Sequence, residues 1–175
     1  MAATGDDVDA GSVDARILDA ALELLRSGGP RAVTMQAVSE STGIAKTTIY
    51  RRHRDRRALL NDALQRLAQQ PPIDPRASRE QRLKWAIRQS IDVIANGIGV
   101  GGFAALLTNE DPEFSEVFRT MLVDYREQAV AAMAADAPDL DTIVDMVVGS
   151  YIAEFARNGT VDPSWGDRIF ALLNR

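Results

Sequence analysis

The sequence lacks cysteine altogether and has a single histidine among its 175 residues. Without cysteine there is no disulfide scaffold, no thiolate zinc site and no cysteine nucleophile. One histidine excludes most histidine-rich metal sites and leaves little choice of a general base. We therefore predict a protein that acts by binding, with no enzymatic activity, no metal and no cofactor.

Long hydrophobic runs and a targeting signal are also missing. The longest uncharged stretch, residues 93–109, has 17 residues and includes Asn96 and four glycines. It is too short and too interrupted to cross a bilayer. The N-terminus is acidic and polar, unlike a signal peptide. We expect a cytoplasmic protein without membrane contact, in which residues 1–12 form a disordered tail.

Positive charge is scarce overall, since the net charge is −5, but it is concentrated. Residues 31–66 contain eight basic and three acidic side chains, whereas residues 89–175 contain five basic and 14 acidic ones. Such asymmetry indicates that one region meets a polyanion while the rest stays soluble and repels it.

Helical periodicity dominates the chain, and alternating strand patterns are essentially absent. The sequence predicts an all-α fold of about nine helices. Prolines at 71, 72 and 75 place a boundary near residues 70–77, between domains at 13–70 and 71–175. Ser78 with Gln81 forms a capping-box pattern. The predicted helices begin near Ser12, Thr34, Ala45, Asp55, Ser78, Phe103, Asp111, Asp139 and Asp162.

Two short predicted helices meet at Gly43, which is the arrangement of a helix-turn-helix. The second helix, Ala45 to Arg52, begins with Lys46 and two threonines and is followed by further arginines. A helix-turn-helix presents its second helix to the DNA major groove. A basic cluster can also be an ordinary solvated face, but the order of capped helix, glycine turn and basic helix favours DNA binding.

Residues 16–60 resemble the N-terminal DNA-binding domain of the TetR (tetracycline-repressor-like) family of bacterial transcriptional regulators. The matching stretches are ILDAALELL at 17–25, AVSESTGIAKTTIY at 37–50 and RRALL at 56–60, with Gly29 placed before Thr34. The resemblance implies a three-helix head, a C-terminal helical domain for ligand binding and dimerisation, and a homodimeric repressor that binds a near-palindromic operator.

The resemblance also implies which residues contact double-stranded DNA. Lys46 is the best candidate for a guanine contact, because lysine can reach O6 and N7. His53 stands where the family usually has phenylalanine, so we expect it to be structural. The expected DNA contacts are Thr34, Gln36, Ala45, Lys46, Thr47, Thr48, Tyr50, Arg51 and Arg56.

The C-terminal part contains the residues expected for an effector and for dimerisation. The family implies a small apolar or amphipathic effector between the fifth and eighth helices, with Arg88 and Asn96 among its polar contacts. The expected pocket residues are Trp85, Gln89, Phe103, Phe114, Phe118, Met121, Tyr125, Tyr151 and Phe155. The expected dimer residues are Val144, Val147, Val148, Tyr151, Ile169, Leu172 and Leu173.

Two other functions are weighed against this one. Residues 97–102 match G-x-G-x-x-G, but a nucleotide site needs a preceding strand, and the preceding segment is helical. We therefore expect these glycines to form a flexible break between two helices. The alternative to a DNA-binding regulator is a helical binding module whose basic face contacts an acidic partner, without preference among DNA sequences.

Overall fold

The computed structural model describes residues 5–69, 73–132 and 140–174, and the side chains of 12–69, 73–128 and 142–174 within them. In these ranges there are nine α-helices and no β-strand, which confirms the all-helical class. A 3₁₀ turn spans Pro30–Ala32 and a π-helical segment spans Val93–Ile98. The helices are α1 (Gly5–Gly28), α2 (Met35–Thr42), α3 (Lys46–Arg52), α4 (Arg56–Leu67), α5 (Arg79–Asp92), α6 (Gly99–Thr108), α7 (Pro112–Ala132), α8 (Leu140–Asn158) and α9 (Trp165–Leu173).

Five helices begin where the sequence predicts. Helix α3 follows Ala45, and the other four start at local capping interactions. The Thr34 hydroxyl accepts a hydrogen bond from the Ala37 N–H at 3.0 Å, and Asp55 accepts one from the Ala58 N–H at 2.8 Å. Ser78 and Gln81 form the predicted reciprocal capping box. Asp111 accepts from the Phe114 N–H at 3.1 Å. Such caps satisfy N–H groups that have no partner inside the helix.

Other helix starts differ from the prediction. Helix α1 begins at Gly5 rather than after Ser12, so part of the expected tail is helical, while residues 1–4 lie outside the described residues. The sequence before Ser12 has three aspartates, and acidic residues suit the first turns of a helix. Helix α9 begins at Trp165, because the Asp162 carboxylate accepts from the Ser164 N–H at 2.7 Å and makes a turn there.

The glycine-rich segment is helical rather than a break. The π-helical residues 93–98 lead directly into α6, which begins at Gly99 instead of Phe103. Gly99 has φ of +70°, a left-handed conformation that glycine adopts without steric cost. A single glycine therefore accommodates the change of backbone geometry. The predicted start of α8 at Asp139 lies outside the described residues.

The chain divides into two compact units. The first comprises Met1–Gln69 and Gly97–Met121, and the second comprises Gln70–Asn96 and Leu122–Arg175. The first unit buries apolar side chains of α1, α2, α3 and α4, such as Ile17, Val38, Ile49 and Leu60. The core of the second unit is formed by Leu83, Ile87, Val147 and Trp165. The predicted domain limits at 13–70 and 71–175 stay a prediction.

The helical run Arg79–Thr108 is long and apolar enough to cross a membrane, by length and composition alone. It is the one such run among the described residues. Core helices of soluble proteins meet the same criterion, so this is weak evidence. The expectation of no membrane contact stays a prediction.

Candidate nucleic-acid interface

Helices α2 and α3 form the helix-turn-helix that the sequence predicts. Gly43 ends α2 with φ of +71°, a left-handed conformation that favours glycine. The turn is held by the Ser39 hydroxyl, which donates to the Ile44 carbonyl at 2.7 Å. It is held from α1 by Arg16, whose guanidinium donates to the Thr42 carbonyl at 2.9 Å. The direction in which α3 leaves α2 is therefore determined by contacts on both sides of the turn.

Helix α3 turns one apolar side chain inward and leaves a polar face exposed. Ile49 is fully buried, whereas Lys46, Thr47 and Arg51 are exposed. The Tyr50 ring is 51% exposed. Residues 46, 47, 50 and 51 follow helical spacing and share one face. A lysine, a hydroxyl, a phenol and a guanidinium are groups that bind phosphates or base edges.

The remaining predicted DNA contacts lie at the edges of this face. Thr34 and Ala45 are exposed at the starts of α2 and α3, and Thr48 is half-buried. The exposed Gln36 side chain donates to Glu40 one turn along α2. To bind a phosphate, the Gln36 amide would have to break its hydrogen bond to Glu40 or donate its second N–H.

The exposed arginines of the basic cluster differ in the groups that they contact within the chain. Arg51 is exposed, and Arg54 is exposed beside Asp55 at 3.1 Å. Arg57 instead forms an ion pair with Glu116 at 2.7 Å, and Arg31 donates to the Glu110 carbonyl at 2.9 Å. Fewer arginines are without a partner inside the chain than the number of basic residues in this segment suggests.

Arg56 is half-buried and has several internal partners, and its expected contact with DNA stays a prediction. Its guanidinium donates to the Val33 and Pro30 carbonyls, both at 2.7 Å. It also forms ion pairs with Asp111 and Glu113, both at 2.5 Å. These contacts occupy the donors that a phosphate would need. Arg56 thus connects the chain before α2 to the start of α7.

The ionisation of this cluster follows from its geometry. Burial alone would raise the pKa of Asp111, but hydrogen bonds from Arg56 and from the Phe114 N–H outweigh it and lower the pKa below its ordinary value. Burial would lower the pKa of Arg56, and the hydrogen bonds to Asp111 and Glu113 raise it instead. Both side chains are therefore charged at neutral pH.

The acidic partners of these arginines were missed by the sequence analysis. Glu113 and Glu116 read as ordinary helix-start residues, and they lie more than 50 positions from the arginines that they bind. The available signal was the density of acids at 110–116 opposite a basic segment. Only the fold brings the two segments together.

The single histidine is buried at the end of α3. Its Nδ1 lies 2.8 Å from the Asp62 carboxylate and its Nε2 lies 3.2 Å from that of Asp14. His53 is only 3% exposed. It therefore occupies a core position, and its ring nitrogens face carboxylates on α1 and α4.

Comparison with known proteins identifies this domain. Residues 17–63 match the family model described as bacterial regulatory proteins, tetR family. These residues are therefore similar to the N-terminal domain of tetR-family regulators. The matched range includes the helix-turn-helix and most of α4, and therefore the α3 face described above.

Solved structures of tetR-family regulators share the fold beyond the matched domain. A TetR transcriptional regulator from Agrobacterium tumefaciens has a TM-score of 0.62 at 16% identity, over 91% of this chain and 92% of that one. A TetR transcriptional regulator from Rhodococcus sp. RHA1 has a TM-score of 0.52 at 20% identity, over 91% and 93% of the two chains. No protein among the curated ones matches the chain.

The residues expected in an effector pocket are divided between the two units. Phe114, Phe118 and Met121 are fully buried in the first unit, where the two phenylalanine rings stack at 5.4 Å between centroids. Phe103 is half-buried in the same unit. In the second unit, the Tyr125 hydroxyl donates to the Gln89 carbonyl. Burial and the charge of Asp92 raise the pKa of Tyr125, so its phenol stays protonated.

The other expected pocket residues belong to the second unit. Trp85, together with Ile73 and Gln81, lines a shallow cavity at the start of α5. Tyr151 packs edge-on against Trp165, with 5.4 Å between ring centroids. Phe155 is half-buried on α8. A common pocket for all nine residues stays a prediction.

The expected dimer residues lie on α8 and α9, with different degrees of exposure. Val147 is 2% exposed and belongs to the core of the second unit, so little of its side chain is accessible to a second chain. Its expected role in the dimer interface stays a prediction. Leu172 is 53% exposed. Val144, Val148, Tyr151, Ile169 and Leu173 are half-buried.

Proposed function

We propose that this tetR-family chain is a transcriptional repressor that binds a near-palindromic operator as a homodimer and is released by a small effector. The observation that carries the proposal is the exposed polar face of α3, with Lys46, Thr47, Tyr50 and Arg51 outward and only Ile49 inward. A face of this kind on the second helix of a helix-turn-helix suits the major groove.

Dimerisation follows from the geometry of DNA. One short recognition helix contacts only a few base pairs, and two related by a two-fold axis contact half-sites about one helical turn apart. The exposed apolar residues of α8 and α9 are the surface that we assign to this contact. A small ligand releases DNA by favouring a head spacing that no longer matches successive major grooves.

The first experiment measures binding to the upstream DNA of the gene by fluorescence anisotropy, with a random duplex of equal length as competitor. We expect the protein to prefer its own upstream sequence. Lys46→Ala should weaken specific binding roughly tenfold, because a lysine–guanine contact contributes about 1–3 kcal/mol. Tyr50→Phe should weaken both duplexes to a similar, smaller degree, because its hydroxyl is assigned to a phosphate.

The other lysine of the chain provides the matched control. Lys84 lies on α5 in the second unit and pairs with Glu80, so Lys84→Ala removes the same charge without touching the α3 face. It should bind DNA like the wild type. Equal affinity of the wild type for both duplexes would favour the non-specific binding module instead. Unchanged specific binding by Lys46→Ala would refute the assigned face.

A further inference from the structure

A cavity of about 330 Å³ lies in the second unit, between α5 and the first turns of α9. One wall is a face of α5 that includes Ile87, Arg88 and Ile91, and the other includes Trp165 and Phe170. Its volume is at the small end of the range for ligand pockets. Its lining combines apolar side chains with polar ones, namely Lys84, Arg88, Asp92, Asn96 and Asp167. It is separate from the residues that the sequence predicts for the effector, apart from Arg88 and Asn96.

The charged side chains around the cavity differ in whether they already have a partner within the chain. The Lys84 ammonium pairs with Glu80 at 2.7 Å and lies 4.5 Å from the centre of the Phe170 ring. The Asp92 carboxylate accepts from the Asn96 amide at 2.6 Å. Asp167 lies in the first turn of α9, where the helix dipole offsets a negative charge. Arg88 is exposed and has no recorded ion pair or hydrogen bond within the described part of the chain.

Of the two cations that line the cavity, Lys84 has an acidic partner and Arg88 has none among the described residues, and Arg88 lies beside an apolar and aromatic surface. A guanidinium binds carboxylates through two parallel hydrogen bonds, which gives both strength and orientation. The half-buried side chains of Ile91 and Phe170 offer a surface for a flat or branched apolar body, and the core residues Ile87 and Trp165 lie at its base.

We propose that this cavity binds a small amphipathic anion, a carboxylate on an aromatic or branched apolar body, with its acid group on Arg88. The use of this ligand as the effector rests on the function proposed above. The binding itself does not, because it is measured without DNA.

The test compares two probes that share one ring system and differ in charge. Isothermal titration calorimetry of the full chain with naphthalene carboxylate and with naphthylmethylammonium measures both dissociation constants. We expect the carboxylate to bind at least about tenfold more tightly than the ammonium, as expected for one charged hydrogen-bonded pair. Equal affinities, tighter binding of the ammonium or absence of carboxylate binding would overturn the proposal.

Two variants locate the bound probe. Arg88→Gln should weaken carboxylate binding by about fivefold to tenfold and leave the ammonium unaffected. Arg79→Gln removes the same charge from the exposed start of α5, outside the cavity lining, and should change neither affinity. Unaltered carboxylate binding by Arg88→Gln would place the anion elsewhere and refute the assignment.

A third variant fills the cavity without changing charge. Gly166 lines the cavity, and a Cβ at this position meets no atom within 4 Å. Gly166→Leu should therefore fold normally, as its unfolding midpoint will verify, and should abolish carboxylate binding. A folded Gly166→Leu protein that binds like the wild type would contradict the proposal. If Arg88→Gln or Gly166→Leu binds the carboxylate like the wild type, the proposed ligand site is refuted, and the result of the DNA-binding experiment is unaffected.

Discussion

At the scale of single residues, the arginines of the head differ in what they can do, although the sequence presents them as one cluster. Arg51 is exposed on α3, whereas Arg57 forms an ion pair with Glu116 and Arg56 with Asp111. A side chain that already neutralises an acid gains less from a phosphate, because the first ion pair must be broken. Position in the fold therefore decides which charges contribute to DNA binding.

This difference predicts the salt dependence of DNA binding. Each phosphate contact contributes about one to the slope of log K against log salt concentration. Arg51→Ala should reduce the slope by about one, and Arg57→Ala should leave it nearly unchanged. The measurement is an anisotropy titration at several salt concentrations. Equal reductions in the two variants would show that Arg57 leaves Glu116 to bind DNA.

The Arg56–Asp111 pair predicts a loss of stability. Asp111→Asn leaves the Arg56 guanidinium short of a partner in a half-buried site, and breaking such a pair costs about 2 kcal/mol of unfolding free energy. Urea denaturation at neutral pH measures it. Arg57→Gln, which removes a solvent-exposed pair, is the control and should have little effect. A loss of the same size in both variants would contradict the special role of Arg56.

The same pair has a defined pH dependence. The pKa of Asp111 is lower in the folded chain than in the unfolded one, so its contribution is full above about pH 4, the ordinary value. The contribution disappears as the pH falls through the lowered value. The stability difference between wild type and Asp111→Asn should therefore shrink on acidification below about pH 4. A difference that is constant with pH would indicate that the charge of Asp111 is not responsible.

At the scale of elements, the turn between α2 and α3 depends on one backbone conformation. Gly43 has φ of +71°, and a side chain in the left-handed region costs about 1–2 kcal/mol. No atom lies within 4 Å of a Cβ at this position, so the cost is conformational rather than a clash. The turn sets the direction of α3 and hence of its exposed face.

Gly43→Ala should therefore lower the unfolding free energy by about 1 kcal/mol and weaken operator binding. Gly101→Ala is the matched control, since Gly101 is an exposed residue of α6 with open space around a Cβ and no positive φ. It should stabilise the protein by about 0.5–1 kcal/mol, because alanine reduces the entropy of the unfolded chain. Denaturation of both variants checks the opposite signs, and a gain in stability with Gly43→Ala would rule out the left-handed turn.

At the scale of the whole molecule, the apolar residues of α8 and α9 serve two purposes. Val147 and Trp165 build the core of the second unit, whereas Leu172 and Met146 stay 53% exposed. Large apolar side chains on the surface are often part of an interface. We expect the dimer to use the exposed subset, with Val147 needed only for folding.

Leu172→Glu should convert the proposed dimer into a monomer, because it places a charge in the apolar contact that we assign to α9. Sedimentation velocity measures the mass of the full chain. Leu107→Glu, at an exposed leucine of α6 in the other unit, is the control and should keep the dimer mass. A dimer that survives Leu172→Glu would exclude α9 from the interface.

Features that depend on neighbours a few positions away along the chain could be predicted from the amino-acid sequence. The helical class, the caps at Thr34, Asp55, Ser78 and Asp111, and the glycine turn were all predicted, because hydrogen-bonded caps and left-handed turns are local. The start of α9 was missed because a short Asp162 turn competed with the same signal. The resemblance of residues 16–60 carried the DNA-binding function for the same reason, since its motifs are contiguous.

The tertiary structure decided everything that depends on distant partners. It paired Arg56 with Asp111, although these residues are 55 positions apart. It buried His53 between two carboxylates and placed Arg88 beside Trp165 and Phe170 in a cavity. Ion pairs and cavities form between elements. The hydrophobic periodicity of one helix shows which of its faces is buried, but it does not identify the residues of other helices that pack against that face.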